Sequence, residues 1–316
     1  MGAGRRRQGL GPFVARDLVA AGAAIPGFVV TSAASRDAVA RAWREDLGIQ
    51  ARGHLDLSSL LRAERLDALA ILSPAETHER HLEAALEAGL HVLCEKPFLW
   101  GRPELGPTTR RLARAFDARG LLLWENCQWP YALPAFEQLH PGALSGPPRR
   151  LAMRLQPASR GAQMLGDSVP HVLSMIQALL PGGEGRIERL RFSGGEPASD
   201  RLDLGFRFLA GDRELEVEVA LRRSDRHPRE AALEIDGHRA ERLVVPDGYR
   251  LFFAADGREV PLPDPLTLLV TDFVAALASP GERAKASRSR EIAERMELLE
   301  RIVTAFARHA RGEAAP

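Results

Sequence analysis

Two hydrophobic rhythms divide the chain. Over roughly the first 127 residues, short apolar runs alternate with stretches whose apolar positions recur every three or four residues. "PFVARDLVAAGA" (12–23) has proline at a first helical position and predicts a helix ending near Gly22. "GFVVTS" (27–32) predicts a strand, "RDAVARAWREDLG" (36–48) a helix stopped by glycine, and "LDALAILSP" (66–74) a buried strand. "THERHLEAALEAG" (77–89) predicts an amphipathic helix and "LHVLCE" (90–95) the strand after it. "PELGPTTRRLARAFDARG" (103–120) then leads to the apolar run "LLLWEN" (121–126). Such alternation predicts a parallel sheet covered on both faces, with functional loops at the carboxyl ends of its strands.

Beyond residue 128 the period falls to two. "RRLAMRLQ" (149–156), "IERLRFSG" (187–194), "LDLGFRFLA" (202–210) and "ELEVEVALRR" (214–223) predict strands, and "AALEIDG" and "YRLFFAADG" continue them with turn glycines at Gly237 and Gly257. The expectation is an open, mostly antiparallel sheet with one helical face. "LTLLVTDFVAALA" and "REIAERMELLERIVTAFARHA" predict closing helices, and "RSDRHPRE" (223–230) a solvated hairpin loop.

Length and composition narrow the partners. At 316 residues the chain accommodates two domains, and 45% hydrophobic content supports a sizeable core. Lys+Arg 43 against Asp+Glu 42 leaves +1, so nothing favours nucleic acid or an anionic membrane, and a small-molecule partner is expected. The two cysteines, Cys94 and Cys127, match neither a zinc motif nor a disulfide framework, and they read as small buried residues. "GRRRQG" (4–9) is basic, but no continuous apolar segment follows it, and no run is long enough to span a bilayer. A soluble, cytoplasmic protein without a metal site is expected.

The first residues carry Gly2, Gly4, Gly9 and Gly11. Glycines between a strand and a helix let the backbone approach a pyrophosphate at the helix N-terminus, although Arg7 stands where G-x-G-x-x-G needs its last glycine. The strand that should precede Gly2 is missing, so either the chain starts late or another segment fills a central place in the sheet. At the end of "GFVVTS" a site for NAD usually has an acid; here Thr31, Ser32 and Arg36 can meet a phosphate, which favours NADP over NAD. Read as surface charge, the same arginine carries no such preference.

The series Pro74, His78, Ala88, Gly89, His91, Val92, Glu95, Lys96 and Pro97, together with a later Asp167 and His171, resembles the glucose-fructose oxidoreductase / inositol dehydrogenase / rhizopine-catabolism (Gfo/Idh/MocA) family. The resemblance implies a Rossmann-type dinucleotide-binding domain over 1–127 and a substrate-binding and oligomerisation α+β domain over 128–316. It implies NAD(P)-dependent hydride transfer on a sugar, an inositol or a related compound. Lys96 matches the catalytic lysine, Glu95 the acid beside it and Pro97 the proline of the turn, with Ser73, Pro74 and His78 along the cofactor. Asp167 and His171 match D-x-x-x-H, while Ser174 stands where the family often has a further acid.

The chemistry is consistent with those residue types. A lysine ammonium stabilises a developing alkoxide, and histidine exchanges protons near neutrality. Asp167 and His171, four apart, share a helical face. Asn126, Gln128, Trp129 and Tyr131 offer hydrogen bonds and aromatic faces to a polyhydroxylated substrate, or simply pack the domain interface. Two alternatives stay open: a reductase of a non-sugar carbonyl or imine, and a non-catalytic cofactor-binding regulator. The open sheet face makes a homodimer or homotetramer the expected assembly.

Overall fold

Glycine and side-chain caps punctuate the first domain as the pattern predicts. The computed structural model describes residues 10–182, 185–194, 196, 198–279 and 288–313, so Gly2, Gly4 and Gly9 lie outside the described residues. α1 (Gly11–Ala20) has Pro12 in its first turn and is followed by β1 (Gly27–Val29). α2 (Ala33–Leu47) is capped by Ser32, whose Oγ accepts from Ser35 N at 3.2 Å, and stops at Gly48 with φ 67°. β2 (Arg52–His54) and α3 (Leu57–Ala63) follow; a three-residue strand of Arg, Gly and His has no apolar run to announce it. β3 (Ala68–Ile71), α4 (His78–Ala88), β4 (His91–Cys94), α5 (Leu105–Ala118) and β5 (Leu123–Glu125) complete the alternation.

These parallel strands form two sheets. β1 pairs with β2, and β3, β4 and β5 pair in that order. No described strand bridges β1 and β3, which is where a doubly wound sheet places its first strand. β4 is central in its sheet and all four of its residues are buried. An open functional end therefore lies at its carboxyl terminus, between those of β3 and β5.

After α6 (Leu133–Leu139) comes an eight-stranded sheet in the order β13-β12-β11-β10-β6-β9-β8-β7. Its strands are β6 (Arg150–Leu155), β7 (Gly185–Gly194), β8 (Arg201–Ala210), β9 (Arg213–Arg222), β10 (Ala231–Ile235), β11 (His238–Val245), β12 (Arg250–Ala255) and β13 (Arg258–Leu262). All neighbours are antiparallel except β6 and β9, because the long helix α7 (Gln163–Leu179) and two further strands intervene between them. One face is apolar and covered. The other is a ladder of ion pairs among small residues, including Arg154–Glu241 and Arg150–Glu218, both at 2.8 Å.

The last helices return to the first domain. α8 (Pro265–Ala278) joins Val14 of α1, Leu93 and Trp124 in one apolar cluster through Leu269 and Phe273. α9 (Ser289–Ala310) packs along α5, and Arg288 N donates to Leu123 O at 3.1 Å just before it. The change of rhythm near residue 128 thus separates the sheets, whereas the C-terminal helices brace both halves.

Candidate active site at the end of strand β4

The ladder of the three-stranded sheet runs one residue past its strands. Glu95 N donates to Ile71 O and Asn126 N to Cys94 O, each at 2.8 Å, which sets Glu95 and Asn126 side by side at the open end. Asn126 Nδ2 donates to Glu95 Oε1 in a short bond. Burial raises the Glu95 carboxyl to about 7, against the opposing pull of Lys96 and of the Asn126 hydrogen bond. The Lys96–Pro97 peptide is cis. Lys96 then crosses to the second domain, where Nζ donates to Asp167 O on α7 at 2.6 Å.

α7 is shaped to receive this loop. Gly166 lies against the Trp100 indole so closely that a Cβ there would stand 2.8 Å from the ring. Trp100 Nε1 donates to Gln163 Oε1 at 2.6 Å. One turn on, His171 has an imidazole whose Nδ1 is buried without a hydrogen-bond partner. Burial first, and then the charges of Lys96, Arg242 and Arg295, hold that ring well below its usual 6.5. It is therefore neutral at physiological pH and able to take a proton. Ser174, at the place of the family's further acid, donates Oγ to His171 O at 2.8 Å.

The structure thus sets Lys96 on Asp167 O, near enough to His171 for its charge to bear on the imidazole, with Glu95 and Asn126 paired at the same strand end; Gln128, whose Oε1 is buried and unpartnered, and Trp129 follow in the same segment. Tyr131 goes elsewhere: its hydroxyl donates to Asp272 on α8 at 2.8 Å, and burial with that carboxylate pushes its pKa up. His78, expected along the cofactor, is instead fully buried. Its Nε2 faces Ser73 O at 2.8 Å and its Nδ1 faces Pro97 O at 3.1 Å, so the ring ties the ends of two loops together. Ser73 and Pro74 build the turn into α4, with Ser73 Oγ sharing a hydrogen bond with Thr77 at 2.6 Å and Pro74 O accepting from Thr77 Oγ1. Cys94 and Cys127 are buried, and burial pushes both thiols well up, which makes them inert.

Three side chains escaped sequence reasoning. Glu125, Arg295 and Arg242 all sit at positions whose pattern predicts only strand or helix. Glu125 Oε2 accepts from Arg295 Nε at 2.8 Å, and its Oε1 accepts from Phe98 N at 2.8 Å, so α9 secures the Lys96 loop from below. Arg242 was legible in principle, since it occupies the inward phase of "HRAERLVV" between Ala240 and Val244.

The residues present fit a dinucleotide. Thr31 and Ser32 follow β1, Ser73 and Pro74 follow β3, and Glu95 and Lys96 follow β4, all at the carboxyl ends of parallel strands. Ser32 is committed to capping α2 and Arg36 pairs with its neighbour Asp37 at 2.9 Å. Unpartnered buried oxygens on Asn126 and Gln128 face the need for further donors.

Comparison with known proteins agrees with this architecture. Residues 6–125 match the Gfo/Idh/MocA description "Oxidoreductase family, NAD-binding Rossmann fold". A D-apiose dehydrogenase from Paraburkholderia graminis is 32% identical over 110 residues, covering 34% of this chain and 28% of that protein. The scyllo-inositol 2-dehydrogenase (NADP(+)) IolU of Bacillus subtilis is 33% identical over 84 residues, 27% of this chain and 24% of its own. The matched stretches thus span about a quarter of these curated relatives. An inositol dehydrogenase homolog from Azotobacter vinelandii, complexed with NADH and myo-inositol, superposes with a TM-score of 0.66 at 20% identity, covering 96% of this chain and 93% of that one.

Proposed function

From the match of residues 6–125 to the Gfo/Idh/MocA oxidoreductases with their NAD-binding Rossmann fold, we propose that this protein is an NAD(P)-dependent dehydrogenase. Its reaction moves a hydride between the nicotinamide and a carbinol or carbonyl carbon of a sugar, an inositol or a related small molecule. The observation that carries this reading is Lys96 Nζ at 2.6 Å from Asp167 O, with the His171 imidazole one turn along the same helix.

When bound, the nicotinamide accepts or delivers the hydride. The protein's own groups handle charge and protons. Lys96 holds its ammonium where negative charge develops on the substrate oxygen. His171, kept neutral by burial and three nearby cations, takes the hydroxyl proton in oxidation and returns it in reduction. Asp167 orients a substrate hydroxyl or the imidazole, and Glu95 with Asn126 steadies the lysine loop. Asn126 Oδ1 and Gln128 Oε1 accept hydrogen bonds from the ligand. The absence of an acid directly after β1, where Thr31 and Ser32 stand, is the basis for favouring NADP over NAD, although Ser32 caps α2 and Arg36 pairs with Asp37. The ion-paired open face of the large sheet supports a homodimer or homotetramer, since alternating charges of both signs meet their complements across a two-fold axis.

Mixing the protein with NADPH or NADH and a panel of sugar, inositol and simple carbonyl compounds, while following reduced-nicotinamide absorbance, tests the proposal. Turnover that vanishes in Lys96→Met supports it. Tight dinucleotide binding with no turnover on any compound would instead assign the scaffold to regulation.

A further inference from the structure

The covered face of the large sheet contains one row that crosses seven strands: Leu202, Leu221, Leu155, Ala231, Arg242, Phe253 and Val260 are successive register partners. Six of them are apolar and buried, and the seventh is an arginine. A guanidinium set in an apolar row costs several kcal/mol unless its charge and its donors are met. Arg242 is poorly met. Its Nη2 donates to Arg229 O at 2.9 Å, and its Nε is buried with no partner. The guanidinium lies over the Trp129 ring at 5.6 Å, which engages its face and leaves the N–H edge for other acceptors.

A second cation lies close by, among groups of both signs. Arg229, at the end of the loop before β10, also has a buried Nε without a partner, and its charge opposes that of Arg242. Asp264 and Tyr249 are within electrostatic range of Arg242. The Asp264 carboxylate is already engaged, since its Oδ1 accepts from Leu266 N at 3.1 Å to cap α8. On the other side Arg242 is close enough to His171 for its charge to bear on the imidazole, as that of Lys96 does. Arg242 and Lys96 therefore both act on the same proton-transfer group.

We propose that Arg242, backed by Arg229, receives an oxyanion carried by the substrate, so that the substrate class is acidic polyols or sugars rather than neutral ones. A carboxylate and a phosphate share the required chemistry: two or more oxygens that accept from the fork of a guanidinium. The oxyanion supplies the charge and the acceptor that the buried Arg242 Nε lacks. It also anchors the substrate near His171, the group on which Lys96 likewise acts. The proposal rests on the dehydrogenase reading only for the hydride transfer that a bound substrate undergoes; the anion site stands on the arginines themselves.

Calorimetric titration of the full chain, without added dinucleotide, tests it with D-glucose, D-glucuronate, D-glucose 6-phosphate and inorganic phosphate. At least one anionic probe is expected to bind more than about tenfold tighter than glucose, and Arg242→Gln to abolish that margin. Preference for glucuronate assigns a carboxylate, and preference for the phosphates a phosphoryl group. Arg242→Lys, which keeps the charge but not the fork, should retain part of the margin and guards against loss through misfolding, as does an unchanged unfolding midpoint. Equal binding of glucose and the anions, failure of every anion to bind, or equal weakening of all probes by Arg242→Gln overturns the proposal. Parallel turnover assays keep the two readings apart: anion selectivity without hydride transfer sinks the dehydrogenase reading alone, and turnover of neutral polyols without anion preference sinks this one alone.

Discussion

Glu125 at the end of β5 and Arg295 on α9 form an ion pair of 2.8 Å whose side chains are 0% and 4% exposed. The pair joins residues 170 apart in sequence, and each partner has a second duty. Glu125 accepts from Phe98 N, next to the cis Lys96–Pro97 peptide, while Arg295 donates to Gln177 of α7 in a short bond. One buried contact thus ties the lysine loop, the helix of Asp167 and His171, and the C-terminal helix together.

Removing one partner leaves the other charge buried. Arg295→Met and Glu125→Gln should each lower unfolding free energy by about 3–5 kcal/mol, and the double variant should lose less than the sum. Urea titrations of the three variants measure the coupling.

Lys96→Met should lower kcat by about 100-fold or more, because the developing oxyanion loses its cation. Dinucleotide affinity, followed by fluorescence titration, should change far less than kcat.

Glu95 gives a pH signature. Folded, it holds its proton up to about pH 7, against an ordinary value of 4.5. Between those values the folded state binds more protons than the unfolded one. The stability that protonated Glu95 contributes is therefore complete below about pH 4.5 and is lost as pH rises through 7, at no more than about 1.4 kcal/mol per pH unit. Unfolding midpoints of the protein and of Glu95→Gln, compared at pH 5 and 7.5, should converge at the lower pH and favour Glu95→Gln at the higher.

His171 titrates well below 6.5, so the acid limb of kcat/KM should lie below that pH and move up when Lys96 or Arg242 is made neutral. Residual activity of Arg242→Gln across a pH series checks the direction.

Gly166→Ala is favoured by helix propensity by about 1 kcal/mol, yet its Cβ would meet the Trp100 ring at 2.8 Å. Steric displacement should win, with a net loss of about 1–3 kcal/mol. Since Trp100 ends the loop that carries Lys96, kcat should fall as well. Urea unfolding and steady-state kinetics on the same preparation separate the two effects.

Local signals in the chain specified a good deal. Period-four and period-two apolar spacing, with glycine or polar caps at Ser32, Gly48 and Gly89, determined the alternating first domain and the stranded second one, because burial of one face at fixed periodicity leaves a trace in neighbouring residues. The abrupt change at Glu95, Lys96 and Pro97 marked the end of β4 for the same reason. β2 left no trace, being too short and too polar. His78 deceived, since a histidine near a strand end looks the same whether it meets a cofactor or two backbone carbonyls.

What only the tertiary structure decided is which distant charges meet. Nothing near Glu125 announces Arg295, and nothing near Trp129 announces Arg242, because an ion pair or a stacked guanidinium is fixed by sheet register and helix packing between segments more than 100 residues apart. Sequence periodicity governs the face on which a side chain emerges; the identity of its partner depends on how the faces come together.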